Sequence, residues 1–282
     1  MRLVSYLDGH KPRIAALRDG ALVDLNRAES SLPAEVIGLL ELGAEGIERA
    51  KAAAIRGAAI PREKVKLLAP VPRPSKVICV GLNYADHARE TGKEPRPEPV
   101  IFNKFVTAVA ADGDRIVLPK VSRKVDYEAE LVAVIGRGGR HIPREAAIDH
   151  VAGYCCGNDV SARDWQVGKP AGQWLLGKSF DGFAPFGPEL VTADEVGDAG
   201  NLRIQLRLNG RTMQDSSTSQ LIFSVGELVA YVSGVCTLEV GDVLFTGTPP
   251  CVGVARRPPV YLQPGDKTEV EIERIGVLQS EF

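Results

Sequence analysis

Residues 126–136 read Asp-Tyr-Glu-Ala-Glu-Leu-Val-Ala-Val-Ile-Gly. An aliphatic, β-branched run closed by glycine predicts a strand. Side chains alternate along a strand, so Glu128, Glu130, Val132 and Val134 share one face and Ala129, Leu131 and Ala133 the other. The run Val-Ala-Gly-Tyr-Cys-Cys-Gly at 151–157 is almost wholly apolar. It predicts a buried strand that ends by delivering Asn158 and Asp159, with Cys155 and Cys156 as small core residues.

Three short strands are predicted near 3–7, 14–17 and 21–25, broken by the turn signals Asp8-Gly9 and Asp19-Gly20. Helical patterns follow near 33–42 and 44–56. Pro70, Pro72 and Pro74 then form a stiff, extended connector. This divides the chain into a small N-terminal α+β domain, residues 1–70, and a larger catalytic domain, residues 71–282. In the larger part a strand at 76–80 leads into a helix with Asn83 as its expected cap. Asn209-Gly210 predicts a hairpin turn. An amphipathic helix is expected through Leu221, Ile222, Val225, Leu228 and Val229, capped by Ser217-Thr218 and ended by Gly234. Residues 91–99 are polar and rich in proline, an ordinary loop or a lid hinged at Gly92.

The 282 residues, 44% hydrophobic and 25% charged, are those of an ordinary globular protein. A net charge of −2 argues against a nucleic-acid binder. No stretch approaches the roughly 18 apolar residues a membrane span needs, and charges interrupt every early apolar run, so neither a span nor a signal peptide is expected. Five cysteines without a C-x-x-C spacing suggest no disulfide framework and no zinc ribbon. A reducing cytoplasm is the expected location.

Glu128 and Glu130, about 6–7 Å apart along one face, repel unless a cation lies between them. A bare E-x-E pair is more often the wet face of a sheet. The buried strand delivering Asp159 supplies a third oxygen and shifts the balance toward a hard-metal site. His87 and Glu90 are three apart on the expected helix, a spacing that lets a carboxylate orient an imidazole as a general base. Asp159, Arg163 and Gln166 recur at spacings of four and three, on one face if Ser161 caps a helical turn. Arg163 then either grips a substrate carboxylate or pairs with Asp159 or Asp164. Lys178 sits among apolar neighbours and needs an anionic partner, such as an enolate or a metal carboxylate. Gly247 permits close backbone approach and Thr248 offers a hydroxyl. Lys104 either helps hold an anionic ligand or, the commoner case, is a surface lysine, and His10 reads as a surface residue.

Five ordered blocks carry a specific resemblance: Gly-Leu-Asn-Tyr-Ala-Asp-His (81–87), Asp-Tyr-Glu-Ala-Glu-Leu (126–131), Gly-Asn-Asp-Val-Ser-Ala-Arg-Asp-Trp-Gln (157–166), Gly-Lys-Ser-Phe-Asp (177–181) and Thr-Gly-Thr-Pro (246–249). Over about residues 74–282 the chain resembles the fumarylacetoacetate hydrolase family, and its N-terminal part resembles the small extra domain some members carry. The resemblance implies an α+β, mostly β fold with a mixed, rolled, barrel-like sheet, usually in a homodimer. It implies Mg²⁺, with Mn²⁺ or Ca²⁺ as substitutes, held by Glu128, Glu130 and Asp159. No fourth acidic ligand is expected, because the strand before His87 reads Val77-Ile78-Cys79-Val80. It maps a catalytic dyad onto His87 and Glu90, an enolate-stabilising lysine onto Lys178, and substrate contacts onto Arg163, Gln166 and Thr248. Cys251 departs from the glycine many members carry, which bears on the turn that places Thr248.

The leading expectation is a hydrolase cleaving a carbon–carbon bond in acylpyruvate-like 2,4-dioxo acids, with His87 deprotonating water. The alternative is decarboxylation of oxaloacetate, or isomerase or lyase chemistry on a 2-oxo acid through the same metal-enolate chemistry. A non-catalytic metabolite-binding protein is the rival from another class.

Overall fold

Aliphatic runs from both ends of the chain meet in one twelve-stranded sheet of a computed structural model that describes residues 1–92 and 94–282. Its main path runs Ala59–Pro61, Ala21–Asp24, Lys11–Arg18, Arg2–Asp8, Ala184–Thr192, Val151–Asn158, Ala129–Ile135, Val243–Phe245, Val77–Gly81 and Val100–Lys104. Most neighbours are antiparallel; Val243–Phe245 runs parallel to Val77–Gly81. A four-stranded sheet, ordered Arg211–Ser217, Arg203–Leu208, Lys267–Ile272 and Gly276–Glu281, packs beside it. The expected mixed, mostly β fold is therefore present, but its sheets are open and do not close into a barrel.

The first strand, Arg2–Asp8, pairs with Ala184–Thr192 through Arg2 opposite Val191 and Leu3 opposite Leu190. The N-terminal strands thus extend the main sheet. Ser5 Oγ donates to Pro70 O at 2.7 Å, which anchors the start of the proline connector.

The strand Ala129–Ile135 is buried along its whole length, as is most of its neighbour Val151–Asn158, including Cys155 and Cys156. Gly157 makes their close packing feasible, since a Cβ there would meet Val132 Cγ2 at 2.4 Å. Asn209 and Gly210 both take positive φ, 52° and 78°, and form the expected hairpin turn.

Two expected caps are placed differently. Asn83 is fully buried and its amide is taken by distant backbone: it donates to Phe223 O and Thr246 O and accepts from Phe223 N. The helix is Ala85–Thr91, entered from Tyr84. Ser224, in a capping box with Glu227, begins the helix Val225–Val235, while Ser217 caps only the short 3₁₀ turn Thr218–Gln220. Gly92 closes the first of these helices in a left-handed conformation. Of the loop or lid expected at 91–99, Lys93 lies outside the described residues.

Candidate active site

Register brings the carboxylates together. Ala129 pairs with Asn158 and Glu130 with Gly157, so Glu128 and Asp159 leave adjacent strand ends side by side. Asp159 N donates to Glu128 O, and Asn158 Oδ1 accepts from Glu128 N, both at 2.9 Å. Glu128, Glu130 and Asp159 are buried, and one carboxylate oxygen from each lies within 4.8 Å of the others. Such a set of hard oxygen donors suits a divalent cation. The electrostatics fit one too. Burial, then the charges of Asp159 and Glu128, push Glu130 well above the usual carboxylate range. A bound cation would relieve that repulsion.

Two lysines reach the same carboxylates. Lys178 Nζ lies 2.8 Å from Glu128 Oε2, 2.5 Å from Asp159 Oδ2 and 4.8 Å from the centre of the Phe102 ring. Burial alone would lower its pKa, but Asp159 and Glu128 outweigh it and hold the ammonium charged. Burial would likewise raise Glu128, and Lys178 and Arg163 instead hold it well below the usual range. Lys104, expected at the surface, is 2% exposed; its Nζ lies 2.5 Å from Asp159 Oδ1 and donates to Val160 O and Phe183 O. Alternation along Val100–Lys104 puts Lys104 on the inward face with Phe102, a signal that the sequence carried.

Arg163 pairs with neither Asp159 nor Asp164. Its Nε donates to Asp126 Oδ2 at 2.8 Å, its Nη1 to Gln166 Oε1 at 2.9 Å, and its Nη2 lies 2.7 Å from Glu128 Oε1. Asp164 instead accepts from Ser122 Oγ and Arg123 N. Ser161 caps no helix; it lies in the two-residue strand Ser161–Ala162 and donates to Asp159 O. Asp126 went unread as a site residue. Beyond Arg163, it accepts from the backbone N–H groups of Gly253 and Val254, and so fixes that segment beside the guanidinium.

His87 Nδ1 lies 2.9 Å from Glu90 Oε2 on the helix Ala85–Thr91. The imidazole faces a cleft of about 270 Å³, lined also by Glu128, Glu130, Arg163, Gln166, Lys178 and Thr248. Glu90 and Asp159 meet the cleft through lining residues, Glu90 through His87 and Asp159 through Lys178. The apolar wall carries Phe102 and Trp174, which meet edge-to-face at 5.4 Å. The turn at Cys251 survives the loss of glycine. Cys251 takes φ of 72°, and its N–H donates to Glu90 Oε1 at 3.1 Å. Thr248 Oγ1 accepts from Gln214 Nε2 at 2.9 Å, a contact no local sequence pattern pointed to.

The fold and the site together define an enzyme of mixed β architecture built around a buried carboxylate triad. Residues 76–282 match the family model described as fumarylacetoacetate (FAA) hydrolase C-terminal. The chain is 47% identical, over 99% of its length and 90% of the relative's, to a Bos taurus protein named oxaloacetate tautomerase FAHD2A, mitochondrial. Among solved structures, a putative HpcE protein from Mycobacterium smegmatis superposes with a TM-score of 0.88 at 42% identity, covering 100% of this chain and 99% of that one. Maleylpyruvate hydrolase from Sphingobium sp. SYK-6, in complex with manganese(II) ion and pyruvate, gives a TM-score of 0.82 at 31% identity, covering 100% and 98%. The chain belongs to the fumarylacetoacetate hydrolase family.

The expected cytoplasmic location is overturned, because the bovine relative is by name a mitochondrial protein. The cysteines argued only for a reducing environment, and that property does not separate one reducing compartment from another. Among the described residues no helix is long and apolar enough to cross a membrane.

Proposed function

We propose that this chain is a metal-dependent isomerase of 2-oxo acids, with keto–enol interconversion of oxaloacetate as its reaction. The observation that carries this reading is the single cleft of about 270 Å³ onto which His87, Lys178, Glu128 and Glu130 all open. Relatives at 44–47% identity named oxaloacetate tautomerase support it over the hydrolysis the motifs first suggested. Tautomerisation moves one proton between C3 and the 2-oxygen and consumes no water.

His87, oriented through Nδ1 by Glu90, takes or returns the C3 proton. Lys178, held charged by Glu128 and Asp159, faces the developing enolate oxygen. Arg163, Gln166 and Thr248 hold the substrate's carboxylates. Glu128, Glu130 and Asp159 would hold Mg²⁺, with Mn²⁺ or Ca²⁺ as substitutes. When bound, the ion supplies Lewis-acid polarisation of the 2-oxo group. The small cleft suits a substrate of few heavy atoms. A homodimer is the assembly we favour, because Ile101, Phe105 and Val235 lie exposed near the sheet's edge strand.

Hydrolysis of an acylpyruvate is the second reading, supported by the 31% identity to maleylpyruvate hydrolase. The deciding measurement follows the decay of enol-oxaloacetate absorbance with Mg²⁺, beside pyruvate release from acylpyruvates. Acceleration of the first without the second is expected. Pyruvate release with no effect on the enol would overturn the isomerase reading.

A further inference from the structure

Gln214 is fully buried in the strand Arg211–Ser217, within the second sheet. The orientation of its amide is fixed by what surrounds it. Ala129 N can only donate, and it meets Gln214 Oε1 at 2.9 Å. Nε2 therefore points the other way and donates to Thr248 Oγ1 at 2.9 Å, Pro249 O at 2.8 Å and Pro250 O at 3.3 Å. Ala129 sits between Glu128 and Glu130 in the chain. One side chain thus ties the carboxylate strand to the turn that carries Thr248.

A hydroxyl has one proton and accepts through its lone pairs. Thr248 Oγ1 already accepts from Gln214, so its own proton is left to be donated elsewhere. Among the described residues no protein group accepts it, and Thr248 lines the cleft. The turn also continues to Cys251, whose N–H holds Glu90. We propose that Gln214 is a positioning residue that sets the Thr248 hydroxyl as a hydrogen-bond donor into the cleft, for an anionic oxygen of the bound 2-oxo acid. This rests on the reading of the cleft as a 2-oxo acid site and assigns the selection of one carboxylate to a residue the substrate never touches.

The test is titration calorimetry of pyruvate into the Mg²⁺-loaded full chain for wild type, Gln214→Met, Thr248→Val, Thr248→Ser and the Gln214→Met/Thr248→Val pair. Losing a hydrogen bond to a charged group weakens binding about tenfold or more. Gln214→Met and Thr248→Val should each show this loss, their combination no more than Thr248→Val alone, and Thr248→Ser near-wild-type affinity. Mg²⁺ affinity should stay unchanged in Gln214→Met. Wild-type pyruvate affinity in Gln214→Met, losses that multiply in the pair, or a parallel loss of Mg²⁺ binding would overturn the proposal. Should Gln214→Met not fold, the two Thr248 variants decide: wild-type affinity in Thr248→Val overturns it. A wild type that binds pyruvate but leaves enol-oxaloacetate untouched removes the isomerase reading alone. One that binds no pyruvate overturns the Gln214 proposal, while acceleration of enol-oxaloacetate decay alone decides the isomerase reading.

Discussion

The N–H of Cys251 donates to Glu90 Oε1 at 3.1 Å from a residue whose φ is 72°. A left-handed conformation costs a non-glycine residue about 1–2 kcal/mol. Cys251→Gly should therefore keep the turn and lose little activity. Cys251→Val, β-branched at positive φ, should lower both the melting temperature and kcat through Glu90. Thermal unfolding and steady-state rates on the two variants check this, and equal rates would show that the turn does not matter to the dyad.

His87→Ala should lose about 10²–10⁴-fold in turnover and keep its Mg²⁺ affinity, since in the proposed mechanism the imidazole acts on substrate and not on the carboxylates. Glu128→Ala should lose turnover and metal binding together. Calorimetry with Mg²⁺ alongside the rate assay separates the two. An active His87→Ala would remove the base from the proposal.

Lys178→Met leaves Glu128 and Asp159 buried with less compensation. Breaking a buried ion pair by removing one partner costs about 3–5 kcal/mol. The metal-free variant should melt well below wild type. Added Mg²⁺ should raise its melting temperature more than that of wild type, since a bound cation restores positive charge among the same oxygens. A Mg²⁺-independent melting temperature in both proteins would argue against the carboxylates as a metal site.

Asp24 is a buried carboxylate of the N-terminal part through which acid should weaken the fold. It is 3% exposed, accepts from Tyr6 Oη at 2.5 Å and Arg13 Nη2 at 2.8 Å, and caps a short helix through Arg27 N. Burial would raise its pKa, but these donors outweigh it and hold the carboxyl below its ordinary range. A lowered folded pKa means the stabilisation is full above the unfolded value, near 4, and is lost as pH falls through the folded one. Asp24→Asn should cost about 1–3 kcal/mol near neutral pH and little at the acid end. Urea unfolding at both ends of that range measures the difference.

The carboxylate triad was legible because strand periodicity and a buried neighbouring run fix it locally: Glu128, Glu130 and Asp159 need only register to meet. The His87–Glu90 contact follows in the same way from helical spacing. What escaped was set by distant partners. Arg163 turned to Asp126, 37 positions away, and not to an acid nearby. Gln214 and Lys104 are polar residues whose burial depends on which sheet covers them. Lys104 could have been found by alternation with Phe102, whereas nothing around Gln214 announces its reach to Ala129 and Thr248. Asn83 looked like a cap because its distant acceptors, Phe223 and Thr246, are invisible in a local window.

The strand Val100–Lys104 ends the main sheet, paired on one side only among the described residues. Its inner positions give Phe102 to the apolar wall of the cleft and Lys104 to Asp159, while Ile101 and Asn103 face outward. The molecule's rim and its reactive centre therefore share one ribbon of backbone. A contact made along that outer margin would bear on the same five residues that carry Phe102 and Lys104.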